Sequence, residues 1–552
     1  MSFFALSAFC LNPNILDKVW RGHPRVMMTH DGVRNTRFFL YETDATYGYL
    51  FVKRARYFRR ACGYNDKGCA MCFACFEGVN EPGTQSFCHC GRPETQTAMR
   101  RIEADISRRQ MIGGMAAVIG MFAGFGLAPQ ELRAQTPARP LLLTNLRLFD
   151  GETLSMRQGV DILIEGGRIA GLPAAGQGPE DAERIDCGGR SVIPGLIDAH
   201  WHATLASVSQ VVALTQDIGL VHLLAGQQAG ATLQRGFTTV RDVGGPALGL
   251  KAAIDRGVVE GPRIFPSGAM ISQTSGHGDF RFPNQLPLMP SDKADYAMQN
   301  GMTAITDGPA DVLRRTREQL MKGASQIKIM AGGGVASPSD PIDSTQFLEE
   351  EMRAAVQAAD DWNTYVCAHV YTSRGIQRCI RAGVKSIEHG QLADEETVRM
   401  MADNGVWWSL QPFLADEDSN QYADPAAIAA QKMVAEGTMR AFDLARTHSV
   451  NWAFGSDVLF GGAEKQGRHL TKLARFMSPL EALHRATGAA GQLLAMSGPR
   501  APYDGRLGVI APGAFADLLV VEGDPEASLD WLEDTGNLRL IVKNGRIHKN
   551  SL

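Results

Sequence analysis

Between residues 195 and 504 short apolar runs alternate with stretches of helical period, and this alternation restricts the chain more than any other feature. Strands separated by helices argue for βαβ units and a parallel sheet. Eight strands can be placed, at 195–200, 238–242, 263–269, 326–330, 365–368, 386–388, 406–410 and 451–456. Helical segments such as 309–323 and 347–360 lie between them, with Leu, Met and Val on one face and Glu, Lys, Arg and Ala on the other. Eight such units are the number that closes into a (β/α)8 TIM barrel, an α/β fold. The interval 270–308 is too long for a plain connection and reads as a functional loop above the catalytic face.

Both flanks of this region are β-rich. The stretch 141–164 alternates apolar and polar residues up to a Gly166-Gly167 turn, and 505–525 with 538–549 repeats that texture around Asn544-Gly545. The two ends are predicted to pair as a small β-sandwich made of 138–194 and 505–550, with the barrel at 195–504. A chain of 552 residues has room for both. Its 55 Lys and Arg against 59 Asp and Glu provide no basic field for nucleic acid, so a small molecule is the expected partner.

The first part of the chain reads differently. Seven of the ten cysteines, Cys10, Cys62, Cys69, Cys72, Cys75, Cys88 and Cys90, precede residue 99, and the segment shows little sustained apolar periodicity. Cys69, Cys72, Cys75, Cys88, His89 and Cys90 could supply ligands to zinc or an iron–sulfur cluster, but no core is evident to carry them. From Met99 a basic start, the pair Arg108-Arg109 and an uncharged, glycine-rich run resemble a twin-arginine (Tat) export signal over 99–135. Such a signal acts at an N-terminus, so Met99 is the expected start, residues 1–98 an upstream extension, and the product periplasmic or secreted. No stable membrane anchor is expected once the signal is removed.

The chemistry-bearing residues gather where barrel strands end. His200 and His202 follow the first strand at i and i+2, positions on one side of a strand, so both imidazoles can meet one ion. Lys328, His369, His389 and Asp457 fall at or near the ends of later strands, the end where barrels of this kind place functional groups. Singly each has a bland account: a snorkelling lysine, core histidines, a helix cap. Six in barrel order point to one shared metal site. The Gly332-Gly333-Gly334 run lacks the Lys-Ser/Thr of a phosphate loop, and its glycines are expected to let the loop pass close to the site.

PGLIDAHWH, a strand lysine, two strand-end histidines and FGSD together resemble the amidohydrolase superfamily, in the branch of Xaa-Pro dipeptidases, imidazolonepropionase-related enzymes and ochratoxin-hydrolysing amidases. The resemblance covers about residues 140 to 550 and implies a binuclear metal-dependent hydrolase. His200, His202 and Asp457 would hold the more buried ion, and His369 and His389 the second. Zinc is the expected metal, although manganese, cobalt and iron suit the same ligands. Lys328 would bridge both ions as a CO2-derived carbamate, since an ammonium has no lone pair to offer. The catalytic set is then Asp457 as proton carrier with His389 and Lys328. His277, Tyr371 and Arg374 are expected to face the substrate, and Asp242 and Glu388 to orient ligand imidazoles.

The reaction so implied is cleavage of an amide or peptide C–N bond, in an Xaa-Pro-like dipeptide or an N-acyl amino acid. A cyclic-amide hydrolase or a deaminase is the enzymatic alternative; deaminases of this superfamily hold one metal and lack the strand lysine. A non-catalytic barrel that binds a partner is the third reading, disfavoured because all six ligands are present. A homo-oligomer is compatible with everything above.

Overall fold

The computed structural model describes residues 26–31, 35–40, 139–286, 294–335 and 340–552. The chain divides into two compact units, Met1–Ala134 and Gln135–Leu552. In the first, β1 (Val26–Asp31) and β2 (Asn35–Leu40) form an antiparallel hairpin. The Cys69–Cys90 cluster and the segment read as an export signal lie outside the described residues.

The second unit opens with β3 (Leu141–Thr144), β4 (Arg147–Leu148), β5 (Ile162–Glu165), β6 (Arg168–Gly171), β7 (Glu183–Asp186) and β8 (Ser191–Pro194). The predicted turn between β5 and β6 forms with Gly166 and Gly167 both in the left-handed region, at φ +56° and +82°. Next come β9 (Leu196–Trp201), β10 (Phe237–Asp242), β11 (Arg263–Pro266), β12 (Met270–Ser272), β13 (Thr303–Ile305), β14 (Ile327–Met330), β15 (Val366–Thr372), β16 (Ser386–Leu392), β17 (Trp407–Leu410) and β18 (Trp452–Phe454). All eight predicted strands are present, with ends shifted by a few residues. Among its described residues, the interval 270–308, read as a functional loop, contributes β12, β13 and the short helix Tyr296–Gln299.

Among the described residues β9, β10 and β11 form one parallel sheet, and β12 to β18 a seven-stranded parallel sheet in the order β13-β12-β14-β15-β16-β17-β18. The two sheets meet at both borders. Ser325 N–H donates to the Pro266 carbonyl at 2.7 Å on one side, and Asp457 N–H to the His200 carbonyl at 2.9 Å on the other. Strands such as β14 (IKIM) and β17 (WWSL) are buried at every position, as parallel strands covered on both faces should be. The largest apolar cluster joins them to the surrounding helices through residues such as Ile327, Ile329, Ala355, Val366 and Phe442.

The chain ends on β19 (Leu518–Val521), β20 (Leu538–Lys543) and β21 (Arg546–Asn550). β19 lies antiparallel to β8, from Leu518 opposite Pro194 to Val521 opposite Ser191, so both ends of this unit share the sheet β21-β20-β19-β8-β4. One apolar cluster draws on this sheet and on the sheet β6-β5-β3-β7, including Leu143, Ile162, Val192, Leu518 and Leu540. Among the described residues no helix is long and apolar enough to cross a membrane.

Candidate metal centre

The parallel register sets the site. Cys367, His369 and Tyr371 alternate along β15, so they share one side of that strand. On β16 strict alternation would send Glu388 and His389 to opposite faces, yet both reach His200. The backbone explains this: His389 at φ +72° and Gly390 at φ +77° are both left-handed, which turns the imidazole back to the side of Glu388. Asp457 repeats the device after β18. It sits at φ +50°, directly after Ser456, whose Oγ donates to buried Asp198 at 2.5 Å.

Asp457 is the hub. Its Oδ1 lies 3.1 Å from His200 Nε2 and 3.4 Å from His202 Nε2, and its Oδ2 3.9 Å from His389 Nδ1. Ligand atoms of His200, His389 and Asp457 all fall within 4.8 Å of one another. His369 stands beside them, its ring centroid 4.6 Å from that of His389. Burial alone would raise the Asp457 carboxyl, but the close approach of His200, and after it of His202 and His389, holds it well below the usual carboxylate range. Burial also keeps His369 and His389 well below the usual imidazole value.

The donor set fits a divalent cation. His200 Nδ1 faces Glu388 Oε2 at 2.8 Å, His202 Nδ1 the Gly244 carbonyl at 2.8 Å, and His389 Nδ1 the Gln411 side-chain oxygen at 2.9 Å. An imidazole that gives its Nδ1 proton to an acceptor keeps the Nε2 lone pair for a metal. His369 is held the other way round, with Nε2 3.2 Å from the Gly333 carbonyl. Lys328 is fully buried in β14. Burial pushes its amine below the ordinary lysine value, while Glu388, Cys367 and Asp457 oppose that shift.

The remaining predicted residues are placed as follows. His277 lies face to face with His369, centroids 4.0 Å apart at 8°, and its Nδ1 meets Asp340 Oδ2 at 2.8 Å. The glycine run allows this approach, since a Cβ on Gly334 would land 2.1 Å from the His277 ring. Tyr371 stacks on His389 at 5.0 Å and 18°, and burial pushes its hydroxyl well up, so it stays protonated. Arg374 is exposed in the first turn of the helix Ser373–Ala382, three residues beyond Tyr371. Glu388 orients an imidazole as expected. Asp242 does not touch one: it accepts from the backbone N–H of Ala203 at 2.7 Å and of Gly244 at 3.3 Å, ordering the turns that carry and face His202. Its burial raises the carboxyl to about 6.

Sequence reasoning missed Arg241, Asp340, Gln411, Phe413 and Tyr422. Gln411 directly follows β17, so the strand-end rule that found the histidines would have found it. Arg241 is a charge inside an otherwise buried strand, itself a signal. Phe413, which lies over His389 with centroids 6.1 Å apart, and Tyr422, whose hydroxyl feels the charge of Asp457, come from a loop with no periodic pattern.

A family model described as the amidohydrolase family matches residues 191–548. The chain belongs to the amidohydrolase family. Ochratoxinase of Aspergillus niger is 32% identical over 331 residues, 57% of this chain and 66% of that protein, so the chain spans just under two thirds of that relative's length. A prolidase solved in complex with N-methylphosphonate-L-proline is 36% identical, with a TM-score of 0.69 over 74% of this chain and all of that one. A Xaa-Pro dipeptidase with methionine bound in its active site is 30% identical, with a TM-score of 0.65 over 74% of this chain and all of that one. This amidohydrolase therefore has an α/β fold of the TIM-barrel type.

Proposed function

We propose that this amidohydrolase is a binuclear metal-dependent enzyme that cleaves the amide or peptide C–N bond of a substrate with a free carboxylate, an Xaa-Pro-like dipeptide or an N-acyl amino acid. In this reading the two parallel sheets close into one (β/α)8 barrel, and the sheets from the two ends of the second unit stack as a β-sandwich beside it. The observation that carries the proposal is the set of imidazoles around Asp457, three of them with Nδ1 engaged by an acceptor, beside one buried lysine.

His200, His202 and Asp457 would hold one ion, and His369 and His389 the other. Lys328 would join them as a carbamate: its neutral amine adds CO2, an N–C bond forms, one proton leaves, and the product is an anion with two oxygens. A buried ammonium amid these groups would cost several kcal/mol, roughly, without that conversion. When bound, a pair of divalent ions, zinc by preference, makes water acidic and polarises a carbonyl.

The protein's own groups do the rest. Asp457, whose side chain is 19% exposed, can take a proton from the attacking water and pass it to the leaving amine. Tyr371, kept protonated by burial, donates to the substrate carboxylate, with Arg374 as an outer cation. Asp340 fixes the His277 ring through Nδ1 and leaves Nε2 to meet the substrate carbonyl. The similarity to a prolidase and to a Xaa-Pro dipeptidase supports the substrate class. The partner is a small molecule, and the charge balance supports no nucleic acid. We also propose Tat export, on the strength of Arg108-Arg109 and the run that follows; that route carries folded proteins, so metals would be loaded first. Screening metal-reconstituted protein against Xaa-Pro dipeptides and N-acyl amino acids tests the reading. Turnover of at least one series that disappears on chelation is expected, and binding of both series without turnover would overturn it.

A further inference from the structure

Arg241 is a guanidinium without exposed surface, next to the last residue of β10, and every nitrogen it has is engaged. Nε donates to the Ala199 carbonyl at 2.5 Å. Nη1 reaches Tyr365 Oη at 3.1 Å and Ser386 Oγ at 3.4 Å, and Nη2 lies 2.7 Å from each oxygen of Glu388. Glu388 is equally buried. Its Oε1 accepts from Ser386 Oγ at 2.7 Å, and its Oε2 faces His200 Nδ1 at 2.8 Å. We propose that Arg241 is a positioning residue: it holds Glu388 as a fixed acceptor, so that His200 must donate from Nδ1 and keep Nε2, on the Asp457 side, for the metal.

Two physical arguments support this over a purely structural ion pair. Burying two opposite charges gains little stability on balance, because desolvation cancels much of their attraction, and neutral replacements of similar volume often fold as well. Stability alone therefore does not account for the pair. The second argument is geometric. A carboxylate whose two oxygens both receive hydrogen bonds from a cation has no proton to give, so the third group it meets, His200, can only donate. Arg241 also grips the carbonyl of Ala199, the residue before His200, so backbone and ring are fixed by one side chain. Groups that orient a metal-binding imidazole in this way typically contribute about 10- to 100-fold to metal affinity.

The inference rests on the metal-centre reading above, and its test separates the two. The full chain, the single variants R241M and E388Q and the charge-free double variant R241M/E388Q are compared for zinc affinity by chelator competition, for zinc per chain and for thermal midpoint. The double variant is expected to keep a midpoint near the wild type and to bind its tighter zinc about 10- to 100-fold more weakly. Unchanged affinity in a folded double variant would overturn the positioning role while leaving the metal centre intact. A wild-type chain that holds no metal would overturn both. Should the variants fail to fold, nitrogen-15 spectra of metal-free wild type, with the His200 signals assigned through H200Q, give the answer alone. A proton on His200 Nδ1 is expected, and an Nδ1 without a proton would refute the proposal.

Discussion

At the scale of single residues, the site depends on breaking an ordinary rule. Neighbouring strand residues point to opposite faces, yet Glu388 and His389, consecutive in β16, both turn to His200, and the left-handed His389 and Gly390 make that possible. Five of the six ligand candidates were readable because an apolar run followed by His or Asp is a strong pattern, whereas Lys328 lies within β14 and stood out only as a charge in an apolar strand. The turning of His389 was not, since nothing in the SIEHG string distinguishes an outward from an inward imidazole except the glycine that follows. Two substitutions test the roles. Lys328→Ala should lose one of two metal ions and most activity, with partial recovery on adding a short carboxylate such as acetate or propionate. Full metal content without rescue would remove the bridging role. Tyr371→Phe should raise KM on the order of tenfold or more with kcat little changed, the signature of a lost hydrogen bond to a charged group. A fall in kcat alone would place the hydroxyl elsewhere in the reaction.

At the scale of elements, the helix Gln466–Thr471 packs against the loop that carries Asp457. His469 on that helix has Nδ1 3.1 Å from the Ser456 carbonyl, and burial, helped by the charge of Lys472, lowers its imidazole to about 4. An unfolded histidine takes its proton near 6.5, so between pH 6.5 and about 4 the unfolded chain binds more protons at this position. Stability is therefore expected to fall with pH across that window. His469→Gln should remove up to about 1.4 kcal/mol per pH unit of that slope in denaturant titrations; an unchanged slope would mean that His469 is protonated in the folded protein. The eight predicted parallel strands were legible from apolar runs of the right length. β12 and β13 were not, because three-residue strands within a Gly- and Pro-rich interval carry too little pattern to stand out. The same limit hid the loop of Phe413 and Tyr422, whose placement comes from packing against the site rather than from its own sequence.

At the scale of the molecule, the second unit is held by a sheet to which its two ends contribute, with β8 from one end and β19 and β20 from the other. That pairing was anticipated from matching texture and matching hairpin turns. The turn at Asn544 and Gly545, at φ +53° and +71°, has both central residues left-handed, as a tight two-residue hairpin requires. Leu540 is fully buried in this sheet, more than 350 residues along the chain from its neighbour in the same cluster, Ile162. Leu540→Ala should cost roughly 2–5 kcal/mol of unfolding free energy while leaving metal content intact, as measured by denaturant titration alongside metal analysis. The sheet shared by the two ends and the metal site are thus predicted to respond to different perturbations: truncating Leu540 lowers stability, and changes around Asp457 lower metal binding. The central claim is that hydrolysis depends on two ions held by His200, His202, Lys328, His369, His389 and Asp457. Titrating zinc into the chelated full chain while following hydrolysis of an Xaa-Pro dipeptide tests it most directly: activity should rise from none to a plateau at two equivalents, and chelated protein as active as the loaded form would contradict it.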